Sequence, residues 1–300
     1  MTPLEPAPAA LAGGRSLYLK REDTHELGAF KWRGALPTLE RFAADGALAV
    51  VTASTGNHGA ATAWAAAELG LEAVVFVPEQ ASATKLAHID RLGAEIRREG
   101  ADLDEAKARG VAFAASEGLP FFEDGAEPAQ LEGYAAIGEE LLGQLGGPPA
   151  AVVVPVGNGA LLGGVGAAVA RRSPGTLRVG VVSAAAPVMA DSWDAGRPVT
   201  SDRSGTFADG LAVRVAIPYA VDVLAAAATH MLRVEERDIA RAVAAFADAG
   251  IRAEGAAAAA LAALPLLPGL DGPIVLVVTG RNIDDDLLER ARRDPESFRG

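Results

Sequence analysis

Three hundred residues carry 27 Lys and Arg against 39 Asp and Glu, leaving a formal net charge of −12, half of the chain apolar and no cysteine. That balance excludes disorder, disulfides, thiolate nucleophiles and thiolate metal sites, and without a basic cluster it excludes a nucleic-acid partner. The longest apolar run, Ala256 to Leu264, stops at Pro265 and is too short to span a bilayer, so no membrane partner is expected.

In chain order, the opening MTPLEPAPAA lacks the basic and apolar stretches of a secretory leader, which predicts a cytoplasmic chain. Short β-branched runs then predict strands at 17–20, 49–53, 73–78, 151–156, 179–183 and 274–279. Each is followed by Gly, Ser, Thr or Asn and then by a helical pattern, as at 60–69 and 160–171. Continuous rather than alternating apolar strands imply burial on both faces, hence an α/β fold with mostly parallel sheets covered by helices. The alanines at 256–263 predict a tightly packed, buried helix. The Gly- and Pro-rich residues 143–149 are expected to carry the chain from one lobe to the other.

Chemistry gathers at four places. The first, Gly28-Ala29-Phe30-Lys31-Trp32-Arg33-Gly34, sets Lys31 among apolar neighbours. A free ammonium is costly there and a neutral, nucleophilic amine is favoured, although a lysine reaching solvent from a helix start has the same surroundings. The second, Ser54-Thr55-Gly56-Asn57-His58-Gly59, lies where a strand gives way to a helix, so backbone N–H groups with hydroxyl and amide side chains can receive a carboxylate; an ordinary helix cap uses the same residues. The third, Gly157-Asn158-Gly159-Ala160-Leu161, again precedes a helix and suits a phosphate. It reads GxGxxxG, no acidic ribose ligand ends the next strand, and no Gly-Lys-Ser/Thr follows, so dinucleotide and P-loop readings both fail. The fourth is Thr279-Gly280-Arg281-Asn282, where a hydroxyl at a strand end can bond a neutral ring nitrogen, with Glu254-Gly255 ahead of the alanine helix.

Taken together and in this order, the four segments resemble the fold-type II pyridoxal-phosphate enzymes (tryptophan synthase β-like), specifically the serine/threonine dehydratase and serine racemase group. The resemblance runs from Leu17 to Asn282. It is carried by Ala29-Phe30-Lys31-Trp32-Arg33-Gly34-Ala35, Ser54-Thr55-Gly56-Asn57-His58, Val154-Pro155-Val156-Gly157-Asn158-Gly159-Ala160, Ala208-Asp209-Gly210 and Thr279-Gly280-Arg281-Asn282. It implies pyridoxal 5'-phosphate held by Phe30, Lys31, Asn57, Gly157, Asn158, Gly159, Ala160, Leu161, Glu254, Thr279 and Asn282. Lys31 would carry the cofactor and take the Cα proton. Ser54, Gly56, Asn57, His58 and Tyr134 would face an amino-acid substrate, with Thr55 where racemases of the group place a second acid/base. The implied reaction is α,β-elimination from a serine- or threonine-type β-hydroxy amino acid, giving a 2-oxo acid and ammonia. A β-replacement synthase, an amino-acid racemase and a catalytically silent relative are the alternatives.

Departures from the family pattern sharpen these expectations. Ala29 takes the place of Ser, and Asn158 and Ala160 interrupt a tetraglycine loop. Tyr134 and Ala136 replace Gln and Thr near the substrate side chain, and Arg281 replaces a Gly. Ser183-Ala184-Ala185-Ala186 lacks the acidic ligand found in metal-binding relatives, so no metal site is expected. The resemblance further implies a homodimer, a large domain of residues 1–47 and 131–300, a small domain of residues 48–130, an active site in a closing cleft, and no C-terminal amino-acid-sensing domain.

Overall fold

The computed structural model describes residues 1–201 and 204–299 and divides the chain into two compact units, Met1–Phe30 with Tyr134–Gly300, and Lys31–Gly133. Nine strands are described: β1 (Leu4–Pro6), β2 (Leu17–Arg21), β3 (Ala49–Ala53), β4 (Glu72–Val77), β5 (Glu95–Arg98), β6 (Ala151–Pro155), β7 (Leu177–Ser183), β8 (His230–Val234) and β9 (Ile274–Val278).

In the first unit a six-stranded sheet has the order β1-β2-β9-β6-β7-β8, parallel throughout except that β1 runs antiparallel to β2. Every residue of β6 and β9 is buried, which is why Ala-Val-Val-Val-Pro and Ile-Val-Leu-Val-Val show no polar alternation. The alanine-rich stretch forms the helix Gly255–Ala262, and Ala256 to Ala260 are buried in the same core cluster as Leu19, Val153 and Leu276. Small side chains let that helix approach the sheet closely. Lys20 of β2 is fully buried, and its ammonium donates to the Thr2 carbonyl at 2.7 Å, Glu140 Oε2 at 2.6 Å and Gln144 Oε1 at 3.0 Å. A buried cation persists only with such partners.

In the second unit β3, β4 and β5 form a parallel sheet in sequence order. The helices Trp32–Ala44 and Asn57–Leu69 pack together, and the second follows β3 directly. Alanines 60, 61, 63, 65 and 66 of that second helix are all buried.

All six expected strands are present, with ends shifted by two residues at most. Three further strands, β1, β5 and β8, were not expected. Each is a sheet edge, and β5 (Glu-Ile-Arg-Arg) and β8 (His-Met-Leu-Arg-Val) keep exposed residues that break the apolar run. The division into these two units differs from two expectations about the domain boundary. Residues 143–149 do not carry the chain between units: the change falls at Gly133 and Tyr134, inside the continuous helix Pro128–Leu145. The second unit also begins at Lys31 rather than at residue 48, because the Trp32–Ala44 helix packs on the Asn57–Leu69 helix.

One close approach ties that first helix in place. Pro37 lies inside the Trp32–Ala44 helix and has no N–H to give to the Arg33 carbonyl four residues back. The Arg33 carbonyl oxygen lies against Gly133, where a Cβ would overlap it. Gly143, in the same helix as Gly133, has open space around it. Gly133→Ala is therefore expected to destabilise the fold by about 1–3 kcal/mol, and Gly143→Ala to stabilise it by about 0.5–1 kcal/mol through helix propensity. Chemical denaturation of both variants checks the pair; equal effects would remove the packing argument.

Candidate active site

The second unit builds a compact polar cluster around Lys31, which caps the start of the Trp32–Ala44 helix. Lys31 Nζ donates to Asp124 Oδ2 at 2.5 Å. The other oxygen of Asp124 accepts from Gln130 Nε2 at 2.7 Å, and Gln130 Oε1 accepts from the Gly125 N–H at 2.7 Å. Gln130 is fully buried, and its carbonyl end is committed to a backbone donor, so its NH2 group is directed at Asp124. Burial pushes the Asp124 carboxyl up, but the Lys31 charge, the His58 charge and the hydrogen bonds from Lys31 and Gln130 outweigh it and hold the group well below the usual carboxylate range. The apolar setting expected for Lys31 is thus only half of its surroundings: a carboxylate that spacing did not reveal is its direct partner.

His58 sits in the first turn of the Asn57–Leu69 helix and is 6% exposed. Its ring meets Phe122 edge-on with centroids 4.5 Å apart, Nε2 lies 3.3 Å from the Phe122 carbonyl, and Nδ1 lies 3.7 Å from Asp124 Oδ1. Burial holds His58 below its ordinary value of 6.5, with the Lys31 charge adding to the effect and Asp124, the Phe122 carbonyl and Glu123 opposing it. Ser54, Thr55 and Gly56 form the bend between β3 and this helix, and Ser54 Oγ accepts from the Gly56 N–H at 3.2 Å. Gly59 lets the helix start lie close to the Ser54 carbonyl, which a Cβ at that position would meet at 2.8 Å.

The first unit holds the other expected residues. After β6 the chain turns through Gly157-Asn158-Gly159 into the helix Ala160–Arg172, with Gly159 at a φ of +97° and Asn158 Oδ1 accepting from the Ala160 N–H at 3.1 Å. Gly157 lies against the Gly210 carbonyl, so that a Cβ there would overlap it. The Ala208-Asp209-Gly210 segment therefore supports the loop from behind, a part that its sequence alone did not disclose.

At the end of β9, Thr279 is 2% exposed, and its Oγ1 is buried with no hydrogen-bond partner. The Thr279 carbonyl accepts from the Phe30 N–H at 3.0 Å, Ala29 bridges Gly280, the Arg281 N–H donates to the Gly28 carbonyl at 2.8 Å, and Asn282 Nδ2 donates to the Leu27 carbonyl at 2.8 Å. The Glu254 carboxylate covers Gly280, where a Cβ would meet Oε1 at 2.5 Å. Tyr134 is fully buried, 5.0 Å from the Phe30 ring, and Arg281 reaches the His25 carbonyl at 3.3 Å. Ser183, at the end of β7, donates to Glu236 Oε1 at 2.5 Å.

The family model described as "Pyridoxal-phosphate dependent enzyme" matches residues 1–280. The chain belongs to this family. It is 34% identical over 276 residues to the L-threonine ammonia-lyase of Geobacter sulfurreducens, covering 90% of this chain and 68% of that protein. It is 38% identical over 202 residues to the chloroplastic biosynthetic threonine dehydratase of Arabidopsis thaliana, covering 67% of this chain but only 34% of the plant protein. The processed form of threonine deaminase isoform 2 from Solanum lycopersicum superposes with a TM-score of 0.90 at 28% identity, over 97% of this chain and 86% of that one. The family assignment carries pyridoxal 5'-phosphate as cofactor and agrees with the resemblance drawn from the motifs.

The His58 environment sets a pH dependence. A histidine held below 6.5 in the fold binds fewer protons folded than unfolded, so its stabilising contribution is complete above 6.5 and declines as the pH falls toward the folded value. His58→Gln, which keeps a side-chain N–H for the Phe122 carbonyl, is expected to reduce the loss of stability between neutral pH and about 5. Denaturation midpoints across that range decide it, and parallel curves for the two proteins would contradict it.

Proposed function

We propose that this family member eliminates the β-substituent of a serine- or threonine-type β-hydroxy amino acid, releasing a 2-oxo acid and ammonia. The observation that carries the reading is the buried, unpartnered hydroxyl of Thr279. A buried polar atom without a partner is uncommon and costly, and its presence beside the expected cofactor residues fits a bound ring with a free acceptor nitrogen. A glycine loop at the start of a helix, whose residues 157 and 159 exclude larger side chains by a close carbonyl and a positive φ, fits a phosphate. The chain's own groups therefore suit pyridoxal phosphate. Likeness to proteins named threonine ammonia-lyase and threonine dehydratase supports the reaction class.

In this reading Phe30, Lys31, Asn57, Glu254 and Asn282 are among the residues that would hold the cofactor. The N–H groups of Gly157, Asn158, Gly159, Ala160 and Leu161 take its phosphate, and Thr279 bonds its ring nitrogen. When bound, pyridoxal phosphate supplies an electron sink that acidifies the substrate Cα–H bond. Thr279, a hydroxyl rather than a carboxylate, would offer the ring nitrogen a hydrogen bond without placing a charge beside it. Ser54, Thr55, Gly56, Asn57 and His58 receive the substrate carboxylate at the helix start, and Tyr134 lies behind Phe30. The Lys31 amine takes the Cα proton. A cytoplasmic homodimer is part of the same proposal, resting on the family resemblance; sedimentation of the purified chain tests the dimer.

Release of 2-oxo acid from a panel of β-hydroxy amino acids tests the reaction. Wild type is expected to turn over at least one member and Lys31→Ala none, with loss of the yellow absorbance of a lysine-bound cofactor. A yellow wild type that releases no oxo acid would sink the elimination reading and leave racemisation or β-replacement. Thr279→Val separates the cofactor argument from the reaction. Replacing a buried, unpartnered hydroxyl by a methyl is expected to raise the stability of the cofactor-free protein by about 1 kcal/mol, while weakening cofactor retention on dialysis. A variant that loses stability without cofactor would show that the hydroxyl has a structural partner.

A further inference from the structure

Asp124, the partner of Lys31, is not among the residues that the sequence motifs single out, and the reaction described above does not use it. All its parts lie in the second unit. Asp124 is fixed from two sides, by Lys31 Nζ at 2.5 Å and by Gln130 Nε2 at 2.7 Å, and the orientation of Gln130 is itself fixed by the Gly125 N–H. The other titratable groups nearby are accounted for. His58, on the Asn57–Leu69 helix, is kept toward its neutral form by burial. Glu123 is paired with Lys107 of the Leu103–Glu117 helix at 2.5 Å, and Glu127, near Arg41, is pushed up by burial.

We propose that Asp124, aligned by Gln130, is the positioning residue that directs the Lys31 amine and stabilises the ammonium formed when it takes the substrate's Cα proton. The inference rests on the reading of Lys31 as the proton-moving group. In that step the Cα–H bond breaks, its electron pair stays with the carbon, and the proton joins Nζ. The nitrogen that gains the proton lies 2.5 Å from Asp124 Oδ2. Asp124 itself takes no proton, since its surroundings keep it a carboxylate. A fixed carboxylate that orients a base and stabilises the cation formed on it, without accepting the proton, is a known way to accelerate proton transfer.

The same contact has an opposite consequence before catalysis begins. The lysine must be unprotonated to attack the aldehyde carbon of pyridoxal phosphate, a step in which a C–N bond forms and the carbonyl oxygen departs as water. A carboxylate 2.5 Å from Nζ engages the lysine and opposes its release to the aldehyde in this capture. Loss of Asp124 should therefore speed capture and slow turnover, two effects of opposite sign that general damage to the fold would not produce.

The test uses cofactor-stripped wild type, Asp124→Asn, Asp124→Glu and Gln130→Leu, mixed with pyridoxal phosphate across a pH series while the lysine-bound absorbance grows. Asp124→Asn is expected to capture about tenfold faster near neutral pH, with the rates converging in alkali, where the amine is unprotonated in both proteins. In turnover, its kcat is expected to fall about tenfold with little change in KM, and the isotope effect from a Cα-deuterated substrate to rise. Asp124→Glu should restore part of both properties, and Gln130→Leu should shift both in the same direction by less. Capture that is slower in Asp124→Asn, or faster by the same factor at every pH, overturns the proposal; the latter reports only attraction of an anionic cofactor. An unchanged kcat also overturns it. If wild type captures cofactor at Lys31 but releases no oxo acid from any amino acid, the elimination reading fails, while the capture series still decides what Asp124 does to Lys31.

Discussion

Within the first unit, the residues ahead of Lys31 are held by a short antiparallel strap at the end of β9, on which the placement of Phe30 and Thr279 depends. Phe30 and Arg281 each give a backbone N–H across this strap, to Thr279 and Gly28, and the Asn282 amide adds a third bond to Leu27. Each such bond contributes only about 1 kcal/mol net, so the strap's importance is directional. It works because two positions lack side chains. Gly28 has a φ of +68° and lies where a Cβ would overlap the Asn282 amide, while Gly280 lies under the Glu254 carboxylate. Thr279 belongs to both tasks: its carbonyl fixes Phe30, and its hydroxyl is left buried for another partner.

This arrangement explains which parts of the molecule were legible in the sequence. Strands buried on both faces, such as β6 and β9, write themselves as unbroken apolar runs, and the loops that follow them write themselves as Gly, Ser, Thr and Asn. The edge strands β5 and β8 carry no such mark, because exposed residues interrupt them and they read as loops, whereas β3, also an edge, is buried over its first four residues and reads as an apolar run. The change of unit at Gly133 was hidden for a related reason. A glycine- and proline-rich stretch suggests a linker, yet here the chain passes from one unit to the other within a regular helix, and a helix pattern gives no sign of which unit each turn belongs to.

The site residues divide along the same line. Lys31, the Ser54–His58 bend, the Gly157–Leu161 loop and Thr279 stand at strand ends or helix starts, where local chain geometry limits the residue types and motifs result. Asp124 and Gln130 do not. Asp124-Gly125 reads as a turn, and its meaning comes from Lys31, 93 positions away. The electrostatics are equally non-local. Burial opposes charge on both His58 and Asp124, yet the outcomes differ: Asp124 is held below the usual carboxylate range because Lys31 and Gln130 supply a cation and a donor in direct contact, whereas His58, 3.7 Å from Asp124, is held below its ordinary value because burial outweighs that attraction. The cluster thus sets a lysine, a carboxylate and a buried imidazole side by side, a combination that the chain's overall charge of −12 does not foretell.

The pairing of Lys31 with Asp124 also depends on how two helices meet. Lys31 begins the Trp32–Ala44 helix, and Gln130, which orients Asp124, lies in the first turn of the Pro128–Leu145 helix. These two helices touch at the Arg33 carbonyl and Gly133, three residues beyond Gln130 and two beyond Lys31. Pro37 gives that carbonyl no intrahelical donor, and Gly133 admits it at a distance no other residue could accept. The contact therefore sets the spacing of the two helix starts, and with it the 2.5 Å separation of amine and carboxylate. A proline and a glycine that look like breaks in two helical patterns are, in physical terms, the means by which the lysine is brought to its counter-charge.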